Sequence, residues 1–401
     1  MQPKVGIILI NYKTYAKRFL EDCRDSMRKM DYPKDKYVVY IVDNATTPET
    51  VAYLKEVYPE AVVLPNAVNA GWGGGNNVGI EQAFKDGCED IVLSNMDVIV
   101  HKDWLSELAK AAYSDSPPPQ SSPTRGEEAQ ANSPPSVGGA RGGGRPIGIV
   151  QSKLLLWPIG KDGIQRLNSV GNQIHFLGFG YCKGYGEPDR PSPGLRPPSP
   201  LGRGVGGEGG EAVDIPYASG ASMYVKGEVF KKIGLCNPDF FMYHDDMELC
   251  LKAKLVGYRV VLAPRSIMWH KYEFKRSIMQ VYFMERNRLL TMLEFYKWPT
   301  LIILAPAFFA LELGVLAGSI IGKYAKPKLR SWGYFFNLRN WKMILRDRKK
   351  IQTMRTISDR ALTRDFTGKI LFQEVMSPVL KYLVNPIFNA YWQVAKRMMW
   401  W

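Results

Sequence analysis

At 401 residues, with 46% hydrophobic and 23% charged positions, the chain has the composition of a folded protein with a full core and room for an appendage. Its five cysteines, Cys23, Cys88, Cys182, Cys236 and Cys250, lie far apart and form no CxxC pair, which argues against a zinc module or a disulfide framework. The net charge of +15 is uneven: Lys323–Trp401 holds 17 Lys+Arg against 4 Asp+Glu, and because this stretch follows an apolar segment, anionic lipid headgroups suit it better than nucleic acid.

The first apolar run, Val5–Ile10, is too short for the hydrophobic region of a secretory signal and reads as a buried strand. In order, Val5–Asn11 reads as a strand, Tyr15–Met30 as a helix and Tyr37–Asp43 as a strand. Thr50–Tyr58 reads as a helix, Ala61–Leu64 as a strand, Asn77–Asp86 as a helix, Ile91–Ser94 as a strand and Asp103–Ala112 as a helix. This alternation predicts a parallel sheet with crossover helices and a ligand crevice at the strands' C-terminal ends. Two stretches then break the pattern. Residues 114–146 and 187–212 are dense in Pro, Gly, Ser and Arg, resemble each other, and are expected to be disordered insertions. Folded pattern returns at Ile147–Trp157 and Gln173–Phe179, and Val213–Pro264 is expected to complete the sheet.

A connecting helix is expected over 273–300. Leu301–Ile321 is then 21 residues, apolar apart from Glu312, and as a helix would be roughly 31 Å long, enough for a bilayer core. Residues 322–401 form a basic tail, amphipathic around Trp332–Leu345 and more weakly apolar at Val375–Val394. A single crossing would put that tail on the side opposite the rest of the chain, against the positive-inside tendency, and Pro306 and Glu312 interrupt the run. The expectation is therefore a segment that enters and returns, or lies at the interface.

Three predicted strands end in polar pairs: Asn11-Tyr12, Asp43-Asn44, and Ser94 followed by Asn95-Met96-Asp97. On adjacent parallel strands these would line one crevice, where Tyr12 can stack on a base and Asp43 can accept hydrogen bonds; strand ends also favour Asp and Asn for turn formation alone. The run Asn69-Ala-Gly-Trp-Gly-Gly-Gly-Asn-Asn77 reads as a glycine-rich loop before a helix starting near Asn76, a geometry that suits an anion. It is neither a dinucleotide fingerprint nor a P-loop, having neither the position of the first nor the lysine of the second. Asp97 is placed to hold a divalent cation on a diphosphate, although position 95 supplies Asn where a second carboxylate could stand. In Asp239–Glu248 three carboxylates, Asp245, Asp246 and Glu248, fall within four positions beside Phe240, Phe241 and Tyr243. They serve either the dipole of a helix start or general-base chemistry beside an apolar wall. His270 is a metal or phosphate ligand or a structural histidine.

In order and spacing these motifs resemble family 2 glycosyltransferases, the inverting GT-A enzymes, and especially their rhamnosyltransferase-like members. The resembling pieces are Ile8–Tyr12, Val42–Thr46, Asn69–Asn77, Leu93–Asp97, Ser219–Ala221 and Phe240–Asp246, the last continuing through Gly257-Tyr-Arg to Pro264 and His270. The resemblance implies an α/β GT-A fold over 1–272: a mostly parallel central sheet flanked by helices, followed by a C-terminal membrane-associated helical segment. It implies Asp246 as catalytic base with Asp245 in the place of the family's Glu. A nucleotide-sugar site would draw on Asn11, Tyr12, Asp43, Asn44, Asn69, Gly71, Gly74, Asn76, Asn77 and Gly220. A divalent cation, Mg2+ or Mn2+, would sit on Asp97 and His270. The implied donor is a nucleotide diphosphate sugar, dTDP-rhamnose first. The acceptor would be lipid-linked or a cell-surface polysaccharide, and the place the cytoplasmic face of the cell membrane, with anionic lipids as partners and no nucleic acid. The chain departs from the pattern at Met96, Asn237 and Asp245. The alternatives are a nucleotidyltransferase of related fold, which normally carries a Gly-rich basic loop after the first strand where this chain reads Asn11-Tyr-Lys-Thr-Tyr15, and a non-catalytic membrane scaffold.

Overall fold

A computed structural model describes residues 2–114, 144–189, 212–271, 278–371 and 378–401. Strand β1 (Val5–Tyr12) is a continuous apolar run because both its faces are covered. Helix α1 (Tyr15–Arg28) returns the chain to β2 (Tyr37–Asn44), and α2 (Pro48–Val57) leads to β3 (Val62–Asn66). Helix α3 (Gly71–Lys85) precedes β4 (Asp90–Ser94), the short β5 (Val98–Val100) and α4 (Trp104–Ala112). After the first insertion come β6 (Ile147–Leu156), β7 (Leu167–Ser169), β8 (Asn172–Ile174) and β9 (Gly180–Cys182). After the second come β10 (Val213–Asp214), β11 (Ser222–Lys226), α5 (Gly227–Ile233), α6 (Asp245–Leu255) and β12 (Arg259–His270). The rest is helical: α7 (Ile278–Phe295), α8 (Trp298–Ile321), α9 (Ala325–Phe335), α10 (Leu338–Met354), α11 (Asp359–Leu362) and α12 (Asn385–Met398).

Ten strands form one sheet in the order β10-β12-β6-β11-β4-β1-β2-β3, with β5 on β12 and β7 on β6, while β8 and β9 pair as a separate antiparallel ribbon. Strands β4, β1, β2 and β3 are mutually parallel, whereas β11 runs antiparallel between β4 and β6. The sheet is thus GT-A-like and mixed. Helices α1 and α4 cover one face through Leu20, Met27, Trp104 and Leu108, with Leu54 of α2 in the same core. Helices α3, α5 and α6 cover the other, where Leu304 of α8 and Trp392 of α12 join the core.

Three boundaries differ from expectation. Helix α3 starts at Gly71, so most of the presumed glycine loop is its first two turns. The reason is packing: a Cβ on Gly75 would lie 2.9 Å from Asn44 Nδ2 and one on Gly79 2.5 Å from Ile8 Cγ2, so glycine lets the helix lie directly on β1 and β2. The expected insertions largely fall on 115–143 and 190–211, outside the described residues, but their edges are structured. Leu167 N–H donates to Glu187 O at 2.9 Å, Asp189 pairs with Lys153 at 2.9 Å, and Arg259 N–H donates to Pro146 O at 2.9 Å. The apolar helix begins at Trp298, where Pro299 suits a first turn whose N–H groups have no partner in any case.

Glu312, the single charge within α8, faces the protein. It accepts from Lys328 at 2.8 Å, from the Trp332 indole at 2.6 Å and from Arg288, while Glu285 accepts from Arg288 at 3.0 Å and from Lys328. All four ionic groups are buried. Burial alone would raise the Glu285 carboxyl, but Arg288 and Lys328 hold it down to about 2, so the cluster stays ionised and ties α7, α8 and α9 together.

Candidate functional site

Parallel register sets the first group of residues. The pairing of β1 with β2 puts Asn11 opposite Asp43 and Tyr12 opposite Asn44, and β3 brings Asn66 opposite Asn44. Asn11 Nδ2 donates to Asp43 Oδ1 at 2.7 Å, and its own oxygen accepts from Ala16 N–H at 2.9 Å, fixing the turn into α1. Asp43 is fully buried and its other oxygen accepts from Thr46 at 2.7 Å and from Thr50. Asn44 donates to Gly71 O at 3.0 Å and accepts from Asn66 at 2.9 Å, while Asn69 accepts from Gly71 N–H at 3.1 Å. Tyr12 alone of the group is open to solvent, at 41% exposure, with Lys13 beside its ring.

The second group stands where β4 and β12 end. Asp97 Oδ1 lies 3.2 Å from His270 Nε2, and His270 Nδ1 lies 3.2 Å from Asn168 Oδ1. Asn95 Nδ2 lies 3.5 Å from the same Nε2. Asn168 can only accept at that atom, so it orients the imidazole with Nδ1–H toward itself and turns Nε2 to Asp97. Tyr15 hydrogen-bonds to Asp97 as well, and burial together with that carboxylate raises its phenol well above the ordinary range.

The third group is built on strained backbone. Phe241, Tyr243 and His244 have φ of 64°, 65° and 67°, a left-handed conformation that side-chain-bearing residues avoid. Helix α7 holds it: the two N–H groups of the Asn287 amide are shared among the carbonyls of Phe240 (2.9 Å), Met242 (2.9 Å) and Tyr243 (2.7 Å). The neighbouring Arg286 donates to Asp239 O (2.6 Å) and Phe240 O (2.9 Å). His244, kept neutral because burial lowers it to about 4, donates Nε2–H to Gly178 O at 3.0 Å. The bend delivers Asp245 and Asp246 to the first turn of α6. Asp246 is half-buried and accepts from Gly220 N–H at 3.1 Å and Met247 N–H at 2.8 Å. Burial raises its carboxyl above the usual range, and those two donors oppose the shift. Asp245 is buried deeper, and desolvation and then the Asp246 charge push it well above the ordinary value.

Contacts join the three groups. Trp72 N–H donates to Phe241 O at 2.6 Å, and a Cβ on Gly71 would stand 1.9 Å from that oxygen. Gly73 leaves room for Asp245 Oδ1, which a Cβ would approach to 2.9 Å, and Gly220 accommodates the Trp72 ring. On the other side Asn95 N–H and Ser94 Oγ donate to Ala221 O, one residue beyond Gly220, at 3.3 and 3.0 Å. Asp246 and the Asp97–His270 pair therefore adjoin the same end of β4. The remaining singled-out residues turn inward. Asn77 exchanges two hydrogen bonds with the Cys236 backbone, Asn76 donates to Trp72 O within its own helix, and Gly74 packs against Ala70.

The donor set at Asp97 fits a divalent cation. Two ligands of a six-coordinate ion with bonds near 2.1 Å sit about 3 Å apart, close to the observed separation. Among the described residues no group of three or more His, Cys, Asp or Glu gathers around an ion site. Sequence reasoning missed Asn287, Arg286 and Asn168. For the first two the legible signal was Glu285-Arg286-Asn287-Arg288, four polar residues in a row inside a mostly apolar helix.

The fold and this edge of polar strand ends define an α/β protein of GT-A-like architecture. Residues 5–118 match the model of the family described as Glycosyl transferase family 2. Similar solved structures include GalNAc-T7 with UDP, GalNAc and Mn2+ (13% identity, 74% of this chain and 49% of that one, TM-score 0.49). They also include the mannosyltransferase PcManGT from Pyrobaculum calidifontis with GDP-Man and Mn2+ (14%, 99% and 85%, 0.43) and S. aureus TarS (13%, 98% and 55%, 0.43). The chain spans about half the length of GalNAc-T7. Comparison with curated proteins gives no match.

Proposed function

We propose that the protein is an inverting glycosyltransferase that moves a sugar from a nucleotide diphosphate donor to a lipid-linked or cell-surface glycan acceptor, working at the cytoplasmic membrane face. The observation that carries the reading is Asp246: a half-buried carboxylate of raised pKa, held by two backbone N–H donors, on the same sheet edge as Asp97 and His270. In this role Asp246 accepts the proton of the acceptor hydroxyl as that oxygen attacks C1 of the donor, opposite the departing diphosphate, which inverts the anomeric centre. Asp245, deeper and neutral-leaning, sits behind it. Tyr12 is the exposed aromatic on which a base can stack, and Asn11, Asp43 and Asn44 stiffen the strand ends beneath it. Asp97 and His270 would hold a Mg2+ or Mn2+ ion, which when bound supplies charge neutralisation for the leaving diphosphate. The sequence resemblance favours dTDP-rhamnose as donor. The test is turnover with a panel of nucleotide sugars. The reading requires transfer or slow donor hydrolysis with one of them, lost in Asp246→Asn while thermal protection by the nucleotide persists; hydrolysis unaffected by that change would overturn it.

A further inference from the structure

Helix α8 is inside out. Its solvent-facing stripe carries Ile302, Phe309, Leu313, Ile320 and Ile321, each more than 60% exposed, at helical spacing and without one charged or polar side chain between them. Its polar residues face the protein: Thr300 donates to Asp359 at 2.6 Å and accepts from the Trp401 indole at 2.9 Å, Glu312 sits in the buried ionic cluster, and Ser319 is fully buried. A water-soluble helix has the reverse pattern. Helix α12, joined to α8 by the Tyr391 hydroxyl donating to Ile303 O, repeats it. Ile387, Val394 and Met398 are exposed, while Asn385 is buried against the Ile370 backbone.

We infer that α8 and α12 seat the protein on one leaflet of an anionic bilayer, with α8 lying along the surface instead of crossing it. At 24 residues, roughly 36 Å, α8 is long enough to span. Its packing forbids that. Near its start it is bonded to Asp359, itself paired with Arg355 at 2.8 Å, and in its second half to Lys328 and Arg288. A crossing helix would carry these charged partners into the hydrocarbon, where burying each of them is costly. Lying flat, it buries only its apolar stripe and leaves the ionic groups under protein. The anionic preference follows from charge. The excess of basic residues follows α8, and at its start an open cleft of about 460 Å3 is lined by Lys297, Trp298 and Lys349, with the Arg348 guanidinium turned inward onto the Leu293 and Tyr296 carbonyls.

The inference deepens the membrane part of the proposed function and is tested without sugar transfer, so either can fail alone. Full-length protein is mixed with phosphatidylcholine vesicles with and without 30% (about one third) phosphatidylglycerol. Binding is expected at least tenfold tighter to the anionic vesicles, and Ile302→Glu/Leu313→Glu, at exposed positions, should reduce it at least tenfold with the circular dichroism spectrum unchanged. Single cysteines replacing Lys85 and Lys326, on either side of α8 in sequence, should react with an impermeant maleimide from the same membrane side. Labelling from opposite sides would establish a span and overturn the inference. So would a soluble dimer by light scattering that ignores vesicles and becomes monomeric in the double-glutamate variant, since a second copy would then cover the face.

Discussion

The strained bend before Asp245 makes Asn287 the residue whose loss should be felt most out of proportion to its size. Three residues at positive φ cost about 1–2 kcal/mol each, so the bend stores about 3–6 kcal/mol that the surroundings must offset. In Asn287→Ala the carbonyls of Met242 and Tyr243 lose their side-chain donor while Phe240 O keeps Arg286, a loss of roughly 1 kcal/mol each or about 2 kcal/mol in all. That is a large part of what offsets the strain, so the bend relaxes and Asp246 leaves its place. The expected result is a fall in transfer activity of 100-fold or more, on the order seen when catalytic groups are misplaced by about 1 Å, with the protein still folded. Hydrogen exchange gives a second readout, because the Trp72 amide donates to Phe241 O and should lose protection as the bend opens. Asn287→Asp separates donor loss from lost volume: it matches the side chain in shape but cannot donate, and should fail as Ala does. Near-normal activity and Trp72 protection in Asn287→Asp would refute the reasoning.

Other outcomes follow from the same geometry. The Asp246 carboxyl is raised first by burial, so the acid limb of kcat/KM should fall at a pH above the ordinary carboxylate range and vanish in Asp246→Asn; a limb at the usual value would count against Asp246 as base. For Asp245 the folded pKa lies above the unfolded value of 3.8, so its contribution to stability is present below that value and is lost as pH rises through the folded pKa. Asp245→Asn should therefore gain in Tm over the parent progressively as pH rises above the unfolded value toward the raised folded pKa, and a constant difference would contradict this. Asp97→Asn and His270→Ala should each weaken the Mn2+-induced rise in Tm at least tenfold in midpoint concentration, measured with nucleotide diphosphate present. Gly71→Ala meets both a φ of +72° and the Phe241 carbonyl, and should destabilise by roughly 3 kcal/mol or more in denaturant unfolding, far beyond Gly314→Ala, where space is open.

The alternating segments from Val5 to Ala112 were legible because a strand buried on both faces writes itself as a continuous apolar run, and each strand but the edge β3 reads that way. The polar strand ends were legible too, since Asn11, Asp43 and Asn44 stand at the last positions of their runs. The glycines were misread because a glycine-rich stretch suggests an open loop, whereas here Gly71, Gly73 and Gly75 make room for Phe241, Asp245 and Asn44, partners up to 172 positions away. Nothing local encodes that distance. The antiparallel insertion of β11 was hidden for the same reason, as strand direction depends on the path of the chain through α4 and β6. Asn287 escaped notice because its importance lies in three backbone carbonyls more than forty residues upstream.

One turn of α7 serves two masters. Asn287 and Arg286 grip the bend that presents Asp245 and Asp246, while Glu285 and Arg288, the residues on either side, lock into α8 and α9. Anyone cutting the chain before Trp298 to obtain a freely soluble fragment would strip Arg288 of Glu312 and Glu285 of Lys328, leaving the Glu285–Arg288 pair without its outer partners one residue from the grip. Such a fragment would lose the shape of its reaction centre along with its greasy end, so solubility is better sought by repainting the outer stripe of α8 than by amputation.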